Sequence, residues 1–593
     1  MIKERISKLR KLMKERGIDA YIIPSFDAHQ SEYVPEHWKC RQWISGFTGS
    51  AGTVVVTEKE AGLWTDGRYF IQAEKQLEGS GIKLFKIAMP GVPTFIEWIG
   101  TSLPSGSTVG FDGRVISVSS FKDMLKTFKS SSFKFETKYD LIGELWADRP
   151  AVPNNPVIVH ELKYAGKSRT EKLSEVRKEM KDLGASFYLL SSLDDVAWLY
   201  NIRGNDVPNT PVVSAYTLIS DKDSWLFIDK NKVSGKVEKE LTDDGIKVMD
   251  YSEVAKLLSG LTENETVLYD PEKTNVWLYK SLKEGIKKIE ELNITTKLKA
   301  VKSPVEIENL RNCQIKDGAA LVKFLCWLDK NLGKEKITEM TVDEKLIEFR
   351  AQQEYNMGPS FDTIAGYKEH AAMMHYRAVP ESDYTLAREG MLLIDNGGQY
   401  LDGTTDITRT IVLGKLTDEQ KKDFTLVLKA HIGLATAKFL KGCTCTHLDI
   451  LSRRHLWKEG LDYRCGTGHG VGFLLSVHEG PQGFRRPPVI NTVILEEGMI
   501  LTNEPGIYKE GMHGVRTENT LLVTKDYENE YGQFMRFDTI SYCPIDLDGL
   551  NVSLLTQEEK DWLNNYHKEV FEKLSPLLSA DERKWLENET RAI

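Results

Sequence analysis

Apolar positions at the start of the chain fall first at helical spacing and then in an unbroken run. Leu9, Leu12 and Met13 form one stripe of a charged amphipathic segment that Gly17 ends. Ala20-Tyr21-Ile22-Ile23 then reads as a short buried strand closed by Pro24. The phrase WISGFTGSAGTVVVTEKEAGLWTDGRYF alternates strand and turn signals before entering a helix. Its SGFTGSAG lacks the Lys-Ser/Thr ending of a phosphate loop, which removes that reading. The opening pattern then recurs: LRKLMKERGIDAYIIPSFD, residues 9–27, is echoed by VRKEMKDLGASFYLLSSLD, residues 176–194, with Gly17 matching Gly184 and Asp27 matching Asp194. Two copies predict two similar α/β domains in tandem, residues 1–150 and 151–297, joined by a stretch that holds Pro150, Pro153 and Pro156.

The pattern changes after residue 297. Ser303-Pro304-Val305-Glu306 combines a Ser cap, Pro at the first helical position and Glu at the third, which predicts a long helix through Leu328. A second helix is expected from Leu416 to Phe439, opening at Thr417-Asp418-Glu419. Strand, hairpin and glycine-loop phrases fill the rest, and a helical tail from Thr556 to Glu589 carries Trp562, Tyr566 and Trp585, expected to pack on this third domain, residues 298–593. The fold class is therefore α/β (α+β).

Candidate chemistry concentrates in the third domain. The apolar run Met391 to Ile394 ends in Asp395-Asn396-Gly397-Gly398, a turn signal, and a second strand starts at Asp406 with Asp406, Thr408 and Thr410 on one face. A hairpin would bring both carboxylates into one neighbourhood, where they repel unless a cation lies between them. His469 stands in the glycine-rich phrase GTGHGVG, Glu504 precedes Pro505-Gly506, and Glu518 is read on a strand with Arg516 on the same face. Any one of these phrases alone is ordinarily a turn or a solvated loop. Five in this order, each at the end of an apolar run, point to a site. Four carboxylates and one imidazole suit a pair of hard or borderline divalent ions such as Mn, Co or Zn, and lack the thiolates of a structural zinc site. Two such ions can make a shared water acidic near neutral pH.

The phrases HYRAVP, LLIDNGGQYLDGTTDITRT, GTGHGVG, VHEGP, TNEPGIY and VRTENTLLV resemble those of the pita-bread metallopeptidases, and within them the long three-domain Xaa-Pro aminopeptidases (aminopeptidase P). The resemblance covers almost the whole chain. It implies two creatinase/prolidase-type N-terminal domains followed by a pita-bread catalytic domain. It also implies metal ligands at Asp395, Asp406, His469, Glu504 and Glu518, and catalytic, substrate-handling histidines at His375 and His478. The expected metal is Mn, two ions per subunit; the expected substrates are peptides with proline in second position, cleaved between residues one and two; the expected assembly is a homodimer. Glu504 is expected as the proton shuttle, with Tyr508 and Arg516 orienting Glu504 and Glu518. One departure is visible: Cys465 stands where many relatives carry a histidine, so no role is assigned to it. Arg41 and Asp66 likewise receive none.

Composition narrows the alternatives. The 593 residues carry a formal net charge of −9, mixed along the chain, with no basic field for nucleic acid and no apolar run long enough to span a bilayer. The start lacks the apolar core of a signal peptide, and seven scattered cysteines read as free thiols, so the expected location is the cytoplasm. Rival readings are a prolidase acting on dipeptides, a methionine aminopeptidase, a metal-free creatinase-like enzyme and a non-catalytic peptide-binding copy of the fold. The complete ligand set argues against the last two.

Overall fold

The computed structural model of the chain describes residues 2–486 and 489–593. Two compact units emerge. The first holds residues 1–160 and 167–296, and the second holds residues 161–166 and 297–593.

The first unit contains the predicted repeat. The helix Ile2–Glu15 buries Ile6, Leu9 and Met13, and Gly17 then turns the chain at φ +66°. The strand Ala20–Pro24 follows. In the second copy the helix Arg169–Leu183 ends at Gly184, φ +73°, and the strand Phe187–Leu190 follows. Both stops use glycine because a side chain in the left-handed region is disfavoured there. Each strand is central in a six-stranded mixed sheet. The first sheet runs Lys83–Lys86, Ala61–Thr65, Thr53–Thr57, Ala20–Pro24, Thr108–Gly110, Lys134–Glu136, and the second runs Ile246–Asp250, Ser224–Ile228, Ala215–Ser220, Phe187–Leu190, Thr266–Tyr269, Lys287–Glu290. Neighbour by neighbour, the parallel and antiparallel pairings are the same in both. The copies meet through backbone bonds, Val118 N to Thr274 O and Val276 N to Ile116 O, both 2.9 Å. Arg41 is buried and donates to Ser25 Oγ and to the carbonyls of Phe47 and Gly49, so it braces the glycine-rich loop that follows it. Asp66 holds Arg68 in a two-pronged pair at 2.8 Å.

In the second unit the predicted long helix spans Pro304–Asn331, with Ser303 and Glu306 closing a capping box. It packs with Glu339–Ala351 on the antiparallel sheet Ile364–Tyr367, Met391–Asn396, Ile407–Val412, through Leu321, Phe324, Leu328, Val342, Leu346, Leu392 and Ile394. A second helix pair, Asp418–Ala435 and Cys445–Trp457, packs against the antiparallel sheet Lys438–Leu440, Gly532–Thr539, Asn519–Asn529, Ile500–Asn503, Gly468–Gly470, Glu479–Phe484. The tail forms the helices Gln557–Leu574 and Ala580–Glu589 and packs on this unit, with Tyr566 buried and Trp562 stacked on it at 5.4 Å. All seven cysteines are free. Among the described residues no helix is long and apolar enough to cross a membrane.

Candidate metal centre

The candidate ligands sit at or beside strand ends of two antiparallel sheets of the second unit, the one built on Met391–Asn396 and the six-stranded one. Asp395 is the fifth residue of Met391–Asn396, and Asp406 immediately precedes Ile407–Val412, which pairs with it so that Asp395 faces Thr408. His469 is the middle residue of Gly468–Gly470, Glu504 follows Ile500–Asn503, and Glu518 precedes Asn519–Asn529. Glycine beside His469 is required by the packing: a Cβ on Gly468 would lie 1.9 Å from the Thr502 carbonyl oxygen.

These ends converge. Ligand atoms of Asp406, His469 and Glu518 all lie within 4.8 Å of one another, and all three residues are buried. His469 Nε2 is 3.4 Å from both Asp406 Oδ2 and Glu504 Oε1. The other ring nitrogen, Nδ1, is 2.9 Å from the Gly470 carbonyl, which can only accept. Nδ1 therefore carries a proton, which leaves Nε2 as the ring atom that faces the carboxylates and would be free to hold a cation. Glu518 is fixed from both sides: its N–H donates to Thr408 O at 3.1 Å and its Oε2 accepts from Thr408 Oγ1 at 2.6 Å. Thr502 Oγ1 accepts from His469 N at 3.0 Å and donates to Glu504 Oε1 at 3.3 Å.

The electrostatics of the cluster demand cations. Burial pushes Asp395 up to about 6; Arg516 pulls against this, while Asp406 and Glu504 add to it. Glu518 is driven far above the carboxylate range by burial and then by Asp406, Glu504 and Asp395. His469 is raised as well: burial works against its charge, but the bond to Asp406 and the field of Glu504 hold it up at about 9. The raised carboxylates and raised imidazole together mark a buried site of concentrated negative charge. Asp395 Oδ1 is buried without a hydrogen-bond partner. An orphaned oxygen, crowded carboxylates and an imidazole nitrogen aimed at them fit hard or borderline divalent ions.

Arg516 differs from expectation. Its guanidinium donates to Asp395 Oδ2, Thr408 Oγ1 and Tyr508 Oη at 2.5, 3.1 and 2.7 Å, so it holds Asp395, whereas Glu518 is held by Thr408. Tyr508 reaches the cluster through Arg516. His478 is half-buried, and its ring stands edge-on to His469 with centroids 4.3 Å apart. His375, also half-buried, lies three residues past the 3-10 turn Lys368–Ala372. Cys465 packs beside Tyr508 and the Ile507–Val515 core; burial, with Glu504 adding, pushes its thiol up to about 12.

Sequence reasoning missed several supporting residues. Arg409, buried, donates to the backbone oxygens of Thr408, Glu518, Cys543 and Pro544, to Asn519 Oδ1 and to Tyr566 Oη. It thereby ties the tail helix to two strands that flank candidate ligands. Asp317 and Arg350 form a buried fork at 2.7 and 3.0 Å, and Arg350 reaches Asn396 Oδ1 at 2.5 Å, beside Asp395. No local pattern marks these residues. Only the placement of Thr408 on the face shared with Asp406 was visible beforehand.

Comparison with known proteins accords with this geometry. Residues 308–525 match metallopeptidase family M24, residues 533–593 match the C-terminal region of that peptidase, and residues 5–137 and 148–306 each match the creatinase/prolidase N-terminal domain. Aminopeptidase P2 of Arabidopsis thaliana is 40% identical over 100% of this chain and 89% of its own length. Xaa-Pro aminopeptidase 1 of Dictyostelium discoideum is 38% identical over 100% and 97%. The crystal structure of an X-prolyl aminopeptidase from Caenorhabditis elegans, described as a cytosolic enzyme with a di-nuclear active site, superposes with a TM-score of 0.96 at 35% identity and covers 100% of both chains. With two creatinase-type N-terminal domains, an M24 catalytic domain and relatives of this identity along its whole length, the chain belongs to the Xaa-Pro aminopeptidase family of metallopeptidases.

Proposed function

We propose that this protein removes the first residue from peptides that carry proline in second position. The observation that supports it most is the convergence of Asp406, His469 and Glu518 within 4.8 Å, with Asp395 and Glu504 in the same electrostatic cluster. Asp395, Asp406, His469, Glu504 and Glu518 would hold two divalent ions, Mn by family resemblance, with Co or Zn admitted by the ligand set. When bound, such a pair supplies Lewis acidity and makes a water nucleophilic near neutral pH.

The chain's own residues carry the rest. Glu504 takes the proton of the attacking water and passes it to the leaving nitrogen. That delivery matters because a prolyl nitrogen has no hydrogen of its own, and the C–N bond breaks well only once it is protonated. His375 donates a hydrogen bond to the oxyanion as it forms, and His478 holds the carbonyl of the proline residue. Residues 298–593 form the catalytic part, and 1–150 and 151–297 the two N-terminal domains. The protein acts as a cytoplasmic homodimer.

The test is hydrolysis of Xaa-Pro-Xaa tripeptides and Xaa-Pro dipeptides after chelation and re-addition of single metals, with sedimentation for the assembly. Tripeptide cleavage restored by Mn supports the reading. Preference for dipeptides would make the protein a prolidase. Absence of any activating or bound divalent ion would leave only a peptide-binding role.

A further inference from the structure

A buried carboxylate outside the metal cluster organises the segment that carries His375. Glu339 is fully buried and is the first residue of the helix Glu339–Ala351, capped by Thr338. Its Oε1 accepts from Tyr367 N at 2.7 Å and from His370 Nδ1 at 2.9 Å, and its Oε2 accepts from Tyr376 Oη at 2.9 Å and Tyr384 N at 3.0 Å. The His370 ring stacks with those of Tyr384 and Tyr376, at centroid separations of 3.8 and 4.4 Å. All four donors belong to one stretch, residues 367–384, and His375 lies within it, immediately before Tyr376. The opposite side of the stretch is equally constrained. A Cβ on Gly514 would come 1.8 Å from Ala371 O, and one on Gly366 would come 2.8 Å from Ala371 Cα. The 3-10 turn is thus pressed against the strands Ile364–Tyr367 and His513–Arg516, the second of which ends in the guanidinium that holds Asp395.

A carboxylate taken fully out of water is tolerated only when its lone pairs are satisfied, and four donors from one segment satisfy them. That arrangement makes the path of the segment depend on one side chain mounted on a rigid helix. We infer that Glu339 is a positioning residue for His375, setting the direction from which its ring meets the substrate. The inference rests on the substrate role proposed for His375. Displacements of about 1 Å at such a group cost roughly 100-fold in rate.

The experiment is a double-mutant cycle in kcat on a tripeptide with proline in second position, using full-length protein supplied with Mn. Glu339→Gln keeps shape and volume but replaces one acceptor oxygen by a donor. It is expected to lower kcat about 10- to 100-fold with KM within about 3-fold and bound metal near wild type, and to lower the unfolding midpoint, because an amide NH2 then faces a backbone N–H. Combined with His375→Ala, it should add little further loss, because the histidine through which it acts is already gone. Tyr376→Phe removes one donor and keeps the ring, and should give a smaller loss in the same direction even where Glu339→Gln folds poorly. Wild-type kcat in both Glu339→Gln and Tyr376→Phe, or losses that multiply in the double variant, would overturn the inference. Wild-type kcat in His375→Ala would instead remove the reading on which it rests.

Discussion

Arg516 donates to Asp395 Oδ2 at 2.5 Å, so two residues 121 positions apart form one buried charge pair at the edge of the ligand cluster. The same guanidinium reaches Thr408 and Tyr508. Lysine cannot reproduce that planar fork. Arg516→Lys is therefore expected to weaken metal binding by about 10- to 100-fold, the usual cost of losing a partner that orients a ligand. Metal titration of chelated protein measures it; unchanged affinity would show that Asp395 needs no such support.

Glu504 stands 3.4 Å from His469 and is held by Thr502 and by its own N–H on Thr467 O. Glu504→Gln should leave thermal unfolding near wild type and reduce kcat by at least about 1,000-fold, since an amide cannot carry a proton from water to the leaving nitrogen. Near-normal turnover would remove Glu504 as the shuttle.

His375→Ala should lower kcat by roughly 100-fold, the scale of a lost hydrogen bond to a developing oxyanion. The midpoint of thermal unfolding should move little, because Glu339 anchors the segment through His370 and Tyr376. A fall in stability without a fall in kcat would return His375 to a purely architectural role.

Cys465→Ser should change kcat by less than about 3-fold. With its thiol pushed up to about 12, Cys465 stays protonated at neutral pH and is a poor nucleophile there. Alkylation by iodoacetamide should accordingly be slow. A large loss of activity in the serine variant would give this position a chemical role.

His567 on the tail helix is fully buried, accepts the N–H of Ile545 at Nε2 at 3.0 Å, and leaves Nδ1 without a partner. Burial, with Arg409 and Arg591 adding, lowers it from 6.5 to about 3. A group depressed in the folded state contributes stability that is complete above its unfolded value and is lost as pH falls from 6.5 toward 3. At pH 5 the loss from this one group amounts to about 2 kcal/mol. In His567→Gln, whose amide oxygen can still accept from Ile545, unfolding should depend less steeply on pH between 7 and 5. An unaltered pH slope would mean that His567 is not buried neutral.

Local pattern determined a good part of this protein. The helical stripe ended by Gly17, its echo ended by Gly184, and the capping box at Ser303 and Glu306 are short-range signals, and each became the element it announced. The candidate ligands could be picked out for the same reason, since each stands at the end of an apolar run or beside glycine. Which side chain supports which ligand was settled only by folding. Thr408 serves Glu518 from 110 positions away, Arg409 ties Tyr566 to the ligand strands across 157, and Glu339 takes donors from a segment 28 to 45 residues on. Periodicity reports how a residue relates to its nearest neighbours along the chain. A buried charge must find its counter-charge or hydrogen-bond donors wherever the packed sheets bring them, and that search has no trace in local spacing.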